Sequence, residues 1–176
     1  MKKFELTSEF VTFLGKKLFR IKALVAFGGV KEGELGGFVE KEENLDQSGD
    51  AWVSGNARVY GDARVYGNAR VSGNAWVSGY AQVYGDAWVY GAAWVYGNAW
   101  VQCCRDYSAT SCFGSENRTT TFFRTKDNGI SVRCGCFYGT LEEFREKVKE
   151  RHGDSRLAKE YLMLADLMEF RLSKDE

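Results

Sequence analysis

The middle of the chain repeats one six-residue pattern of apolar and polar positions nine times. From residue 49 to residue 102 the units read GDAWVS, GNARVY, GDARVY, GNARVS, GNAWVS, GYAQVY, GDAWVY, GAAWVY and GNAWVQ, without an interruption. Within a unit, Ala and Val are two positions apart, so on an extended segment they point to the same side, and the residue between them points to the other. The pattern predicts short strands whose Ala and Val side chains face a common interior.

Every unit begins with Gly, which is usually followed by Asn or Asp, and this pair predicts a bend between consecutive strands. Gly adopts positive φ without strain, and Asn or Asp tolerates it while bonding its own backbone. A side that offers only Ala and Val to the interior suits a narrow, three-sided coil in which three units make one turn. Because each unit can bury its apolar face only against neighbouring units, the coils are expected to stack.

The outward residues support this coil length, because residues 18 apart become vertical neighbours and no Arg then lies on another Arg. The three columns are Trp52, Arg70, Trp88; Arg58, Trp76, Trp94; and Arg64, Gln82, Trp100. Stacked coils are about 4.8 Å apart, so like charges would repel, whereas Arg above Trp gains a cation–π contact of about 0.5–1 kcal/mol. Chance copying of repeats is the alternative explanation, because only three coils are sampled.

The segment ahead of the repeats predicts a cap for the open end of the first coil. Residues 4–6 and 18–24 indicate two strands with Gly15 in the turn between them, which is the pattern of a hairpin. Residues 35–39 and Leu45 predict an irregular extra coil that leads into the repeats.

After the repeats, the pattern becomes that of a small unit of strands and helices. Residues 119–126 and 130–137 predict two strands joined by Asn128-Gly129, which is a two-residue hairpin signal. The chain is therefore predicted to be mainly β, in three parts: a β cap (1–34), a hexapeptide β-helix (35–102) and a C-terminal ββαα module (103–176).

Two helices complete the predicted module. Thr140 with Glu143 forms a capping box ahead of the first helix, and Gly153 ends it. The second helix runs over residues 155–172. The residues predicted to face inward lie at helical spacing. They are Leu141, Phe144, Val148, Leu157, Tyr161, Leu164, Ala165 and Met168.

Composition gives no support to several classes of function, although specific binding of nucleic acid or a membrane stays open. Lys and Arg total 24, as do Asp and Glu, so bulk charge gives no reason for general binding to nucleic acid or to membranes. No apolar stretch approaches the roughly 20 residues that span a bilayer, and no export signal is evident. The five cysteines are an odd number, which favours free thiols in a bacterial cytoplasm.

The register of Val, two residues, Asn or Asp, Ala and one further residue resembles the hexapeptide repeat of the left-handed parallel β-helix superfamily, which includes many acyltransferases. The resemblance implies a left-handed coil and a homotrimer packed side by side. With KEGELGGFVEKEENL ahead of the repeats and TTTFFRTKDNGISVRCGCFYGTLEEF after them, the chain also resembles hexapeptide-repeat proteins carried by bacteriophages and prophages. This second resemblance implies an accessory role, such as interference with a host defence.

Acyltransferases of this superfamily generally use a catalytic His and often a loop extruded from the β-helix. The single histidine, His152, lies at the predicted end of a helix, where interaction with the helix dipole explains it. The nine repeats contain no inserted loop. We therefore expect no catalytic residue and no cofactor, with a hexapeptide acyltransferase or its degenerate relative as the alternative.

Two groups of residues are candidates for binding a ligand or a partner. The polar run before the predicted hairpin could hold a small anionic group such as phosphate, and the outward aromatic and Arg residues could bind a host protein or stack on a nucleobase. The candidates are Arg118, Thr119, Thr120, Arg124, Arg70, Trp76, Trp88 and Trp94. The expected function is that of a non-enzymatic binding or scaffold protein, whose ligand would be a host nucleotide signal or a host protein.

A zinc site is a weaker hypothesis. Cys134 and Cys136 would share one face of a strand, and Cys103, Cys104 or Cys112 could complete the set. Because the chain lacks a paired C-x-x-C, we expect free thiols and no metal.

Overall fold

Each hexapeptide unit folds as a two-residue strand followed by a bend in the computed structural model, which describes residues 2–173. The outward residue and the Val of each unit form the strand. These strands are β4 (Trp52–Val53), β5 (Arg58–Val59), β6 (Arg64–Val65), β7 (Arg70–Val71), β8 (Trp76–Val77), β9 (Gln82–Val83), β10 (Trp88–Val89), β11 (Trp94–Val95) and β12 (Trp100–Val101).

The strands stack as parallel ladders on three sides, which confirms the β-solenoid with three units per coil. One side contains β4, β7 and β10, a second contains β5, β8 and β11, and the third contains β6, β9 and β12. The three predicted columns of outward residues are the paired residues of these ladders. The left-handed sense of the coil stays a prediction.

The interior of the solenoid is filled by the Ala and Val of the repeats, none of which is more than 1% exposed. The glycines that begin the units all have positive φ, between 61° and 72°. They also stack closely, since a Cβ added at Gly79 would lie 2.8 Å from the amide nitrogen of Gly97. Gly is therefore required both for the bend and for the contact between coils.

A hairpin and one further strand precede the repeats: β1 (Phe4–Phe13), β2 (Lys16–Ala23) and β3 (Leu35–Val39). The predicted turn is present, with positive φ at Leu14 and Gly15. The hairpin pairs with β3, which pairs with β5, so it widens one side of the solenoid into a six-stranded sheet. The predicted irregular coil is also present, because Phe38 pairs with Arg58 and Leu45 with Val65. This coil is slightly longer than the regular ones, because more residues separate Phe38 from its partner Arg58 than separate Arg58 from its partner Trp76 in the next coil.

At the N-terminal end no preceding coil supplies backbone N–H donors, and side-chain donors take their place. Within the solenoid, Trp52 N donates to Ala69 O of the next coil at 3.0 Å. At the open end, the equivalent carbonyl of Ala51 accepts from Lys3 Nζ at 2.9 Å, and those of Ser48 and Gly49 do so at 3.3 Å. Lys3 is thereby buried, and burial lowers its pKa to about 8.

A second corner of the open end is closed in the same way. The side-chain amide of Asn44 donates to Gly61 O at 3.1 Å and to Ala63 O at 2.8 Å. Asn44 ends a short 3-10 helix, Glu42–Asn44, and is fully buried. These backbone carbonyls at the open end of the solenoid therefore have hydrogen-bond donors without a further repeat.

The C-terminal part has both predicted strands and both predicted helices, and two strands more. Its antiparallel sheet has the order β13 (Tyr107–Phe113), β14 (Arg118–Arg124), β15 (Ile130–Cys134) and β16 (Phe137–Thr140). The strand predicted over residues 130–137 is divided, because Gly135 takes positive φ and reverses the chain between β15 and β16. The strand β13 was not predicted.

The hairpin predicted at Asn128-Gly129 is present, but its loop is longer than two residues. Thr125 N donates to Gly129 O, and Asn128 N donates to Thr125 O. Only Asn128 of the two has positive φ, whereas the tightest two-residue turn needs positive φ at both central residues.

The helices α1 (Leu141–His152) and α2 (Arg156–Leu172) pack with this sheet around an apolar core. The capping box is confirmed, since Thr140 Oγ1 accepts from Glu143 N at 3.2 Å and Glu143 Oε2 accepts from Thr140 N at 2.8 Å. Of the predicted inward residues, Leu157 is only partly buried, and its neighbour Ala158 is buried instead. Neither helix, nor any other helix in residues 2–173, is long and apolar enough to cross a membrane.

The N-terminal cap gives a test through Lys3→Met. Loss of three hydrogen bonds from a charged donor is expected to lower the free energy of unfolding by about 1.5–3 kcal/mol at pH 7. The folded pKa, about 8, lies below the ordinary value of 10.5. Between these values the unfolded chain binds more protons, so this group makes the wild type more stable as pH rises from 8 to 10.5. Urea unfolding should therefore show a gap between wild type and variant that widens over this range. A constant or shrinking gap would contradict the buried-lysine cap.

Candidate functional site

A groove of about 490 Å³ lies between one side of the solenoid and the sheet of the C-terminal module. We call it the arginine groove. The solenoid contributes the column Arg58, Trp76 and Trp94, and the module contributes Arg118 and Arg133. The remaining lining residues are Asn56, Asn74, Ala92, Thr119 and Gly135.

Aromatic rings and guanidinium groups pack against one another along the groove. The guanidinium carbon of Arg58 lies 4.6 Å from the ring centre of Phe13, at the end of β1, and 5.6 Å from that of Trp76. The Trp76 and Trp94 rings meet edge to face at 4.7 Å. The guanidinium carbon of Arg133 lies 4.0 Å from the Trp94 ring centre. These contacts orient both arginines without using an acidic partner.

The groove carries an excess of positive charge. Its lining includes three arginines and no Asp or Glu. Within residues 2–173, Arg58 and Arg133 form no ion pair, and Arg118 has only a 3.7 Å pair with Glu116 in which both side chains are exposed. Arg133 Nη1 donates to the carbonyls of Cys136 and Phe137, at 3.2 and 3.3 Å. The arrangement therefore suits an anion beside a flat ring.

The structure brings four of the predicted site residues to the groove, namely Trp76, Trp94, Arg118 and Thr119. Sequence reasoning missed Arg58 and Arg133 as site residues. Arg58 belongs to the same predicted column as Trp76 and Trp94, so the column itself was a usable signal. No sequence pattern places Arg133 opposite the solenoid.

Two predicted ligand residues of the module have other contacts. Thr120 is fully buried, and its Oγ1 donates to Cys134 Sγ at 3.2 Å inside the module. Arg124 donates from Nε to Leu172 O at 2.6 Å and from Nη2 to Ser173 O at 2.9 Å. Neither side chain lines the groove, because these contacts hold both side chains elsewhere in the module.

The other two predicted residues, Arg70 and Trp88, lie on a different side of the solenoid. Arg70 is paired between Trp52 and Trp88 in its ladder, and its guanidinium donates to Gly28 O. Trp88 is 54% exposed, and its Nε1 donates to Ser72 Oγ at 3.1 Å. Both point outward as predicted, but they do not join the groove.

The cysteine hypothesis is corrected at one point. Cys134 ends β15 and Cys136 lies in the turn after it, so the two do not share a strand face. All five cysteines are free thiols. No group of three or more His, Cys, Asp and Glu side chains that could hold a metal occurs in the described residues 2–173. His152 is the last residue of α1 and stacks on Tyr161, with ring centres 5.7 Å apart.

Comparison with known families identifies the repeats. The family model of the YdcK β-solenoid repeat matches three stretches of the chain, residues 51–65, 63–79 and 81–97. All three lie in the stacked coils, so the central segment, which folds as a β-solenoid, is similar to this repeat. No curated protein matches the chain.

The contacts of Arg124 predict a structural role that can be separated from ligand binding. Arg124→Met should lower the free energy of unfolding by about 1.5–3 kcal/mol, because a charged donor to two carbonyls at the end of α2 and the 3.3 Å ion pair with Asp106 are lost. Thermal unfolding followed by circular dichroism measures this. The matched control is Arg118→Met, whose exposed side chain should leave the melting temperature unchanged. Equal melting temperatures for the two variants would refute the structural role.

Proposed function

We propose that this protein is a non-enzymatic binding protein that captures a small anion with a planar ring, of the nucleotide class, in the arginine groove. The observation that carries the proposal is the lining of the groove, which combines three arginines and two tryptophans with no acidic residue. The β-solenoid serves as the rigid scaffold that holds one wall of this groove.

The chemistry of the lining matches both parts of such a ligand. Guanidinium groups bind phosphate through charge-assisted, often bidentate, hydrogen bonds. Tryptophan faces stack on nucleobases, at about 1–3 kcal/mol per base. The side-chain amides of Asn56 and Asn74 offer both donors and acceptors to the edge of a base. A bare anion would use only the first of these contacts.

Binding is favoured over catalysis by the same lining. General acid–base chemistry needs a group that titrates near neutral pH within hydrogen-bond reach of the substrate. The groove is lined by Arg, Asn, Trp, Thr, Ala and Gly, and His152 does not line it. No specific observation favours the acyltransferase alternative, although acyl transfer remains a measurable outcome.

The proposed biological role is to sequester a host nucleotide signal in the cytoplasm of a bacterium, on behalf of a phage or prophage. The resemblance of nearly the full length of the chain to phage-carried hexapeptide-repeat proteins supports this role, and the lining of the arginine groove, with its cations and without an acidic residue, supports capture of an anion. Capture of a host defence protein is the alternative within the same class.

The lining of the groove predicts that AMP binds more tightly than adenosine or inorganic phosphate, which are the two parts of AMP. Isothermal titration calorimetry should give a tighter Kd for AMP than for adenosine or inorganic phosphate. Arg133→Gln should weaken AMP binding about tenfold or more, because each 1.4 kcal/mol is a factor of ten and a charged hydrogen bond contributes about 1.5–3 kcal/mol. Arg118→Gln should act in the same direction without disturbing the turn that Arg133 supports.

The matched control is Arg64→Gln, an exposed arginine on another side of the solenoid. It should bind AMP like the wild type. Unchanged affinity in both groove variants would exclude the groove as the site. Acetyl-coenzyme A turnover by the wild type that is lost in His152→Ala would replace the binding proposal with an enzyme.

We also propose that the protein is a homotrimer whose subunits pack side by side. The superfamily resemblance supports this, and the exposure of the outward aromatic residues supports a choice of surface. Most outward aromatic residues of the last coils contact this chain itself, as Trp94 contacts Arg133 and Tyr96 contacts Tyr138. Trp88 and Tyr90 remain 54% and 59% exposed and meet edge to face at 5.8 Å. They are the surface we propose for contact between copies.

Sedimentation velocity at micromolar concentration should therefore report a trimer, and Trp88→Ser/Tyr90→Ser should dissociate it, since interface cores depend on buried aromatic residues. The matched control is Phe170→Ser, which changes an exposed aromatic residue of α2 and should leave the trimer intact. A monomeric wild type would rule the proposal out.

A further inference from the structure

A second cavity, of about 240 Å³, lies inside the C-terminal module and adjoins the arginine groove. We call it the helix pocket, because α1 and α2 form part of its wall. It shares two lining residues with the groove, Arg118 and Gly135. The two cavities therefore lie on either side of one short ridge, the start of β14 and the β15–β16 turn.

Positive charge continues from the groove into the helix pocket. The cations Arg118, Lys147 and Arg151 line it, as does the ring of His152, and Glu116 is its single lining acid. Glu116 is held by Arg118 at 3.7 Å, and Lys147 has an exposed pair with Glu150 at 2.7 Å. Within residues 2–173, Arg151 forms no ion pair. The pocket thus has charge available for an anion of its own.

The inner wall of the pocket is aromatic and fixed in place. Phe144 and Tyr161 are nearly fully buried, with ring centres 5.8 Å apart and nearly perpendicular planes. The Tyr161 hydroxyl passes so close to Gly114 that any Cβ there would overlap it. The His152 ring stacks on the Tyr161 ring, with ring centres 5.7 Å apart. The pocket therefore has a fixed apolar inner wall, beside which the cations can bind a charged group.

Arg118 connects the two cavities. Its Nη1 lies 3.6 Å from the place where a Cβ on Gly135 would be, so the guanidinium lies against the backbone of the ridge. The side chain is 63% exposed, and its single partner is the loose pair with Glu116. One guanidinium with several donors can bind an anion that crosses the ridge from either side.

We propose that the arginine groove and the helix pocket form one elongated site for a dinucleotide. The base of the first nucleoside packs against Trp76 and Trp94 and stacks on one of these two nearly perpendicular rings. The bridging phosphate binds Arg118 at the ridge, and the second nucleotide enters the helix pocket beside Arg151 and His152. This inference rests on the proposed function of the groove and extends it to a second subsite. Together the two cavities have the size of ordinary ligand sites, about 300–1,000 Å³.

The test compares AMP with the linear dinucleotide pApA by calorimetry, using the whole chain. The wild type should bind pApA at least tenfold more tightly than AMP. Lys147→Gln/Arg151→Gln, which changes two exposed side chains of the helix pocket, should weaken pApA binding about tenfold and leave AMP binding unchanged. The matched control is Lys159→Gln, an exposed cation on α2 outside both cavities, which should change neither affinity.

Three other outcomes would each overturn a defined claim. If AMP binds and Arg133→Gln weakens it, but pApA binds no more tightly than AMP, the second subsite is wrong and the groove stands. The same conclusion follows if the pocket variant weakens AMP and pApA equally, because the two cavities would then not be separate subsites. If neither AMP nor pApA binds, the proposed function of the groove fails as well.

Discussion

The width of the solenoid interior is the constraint on which the rest of the structure depends. Only Ala and Val fit inside a three-sided coil built from such short units, and their burial is complete in every repeat. Because these side chains are so small, adjacent coils exclude water only if they stack at the spacing of a hydrogen-bonded ladder. At that spacing the corners of adjacent coils approach closely, so each corner needs a Gly. The outward columns follow from this stacking, and one of them is the wall of the arginine groove.

Hydrogen-bond donors close one end of the solenoid and hydrogen-bond acceptors close the other, and both follow from the direction of the hydrogen bonds between coils. Along the bends and at the start of each strand, the backbone N–H of one coil donates to a carbonyl of the next. The first coil therefore leaves carbonyls without partners, and Lys3 and Asn44 donate to them. The last coil leaves N–H groups, and acceptors meet them: Thr121 Oγ1 accepts from Trp94 N at 3.0 Å, and Asp106 Oδ2 accepts from Gln102 N at 2.8 Å. The module thus binds the solenoid through backbone groups that the repeat cannot satisfy.

The parts of the structure that could be predicted are those with a local or periodic cause. The coil length, the inward residues and the Arg58 column come from the repeat, and the start of α1 comes from the capping box of Thr140 and Glu143. The position of Arg133 could not be predicted, because it depends on how the module docks on the solenoid. The contacts of Arg124 could not be predicted for the same reason: in sequence it follows Phe122 and Phe123 in a predicted strand, but in the fold its partners are the last carbonyls of α2. Strand β13 lacks an alternating pattern and gains its strand geometry from pairing with β14.

The repeat number determines whether the groove can exist at all. Its solenoid wall belongs to one of three sides, and the module begins directly after the last repeat. Duplication or loss of a single hexapeptide unit would turn the module by about a third of a revolution, which would separate Arg118 and Arg133 from Trp76 and Trp94. Only the gain or loss of three units together keeps the module in phase with this side. Although solenoid arrays generally tolerate a variable number of repeats, this one can lengthen or shorten only by whole coils without losing its groove.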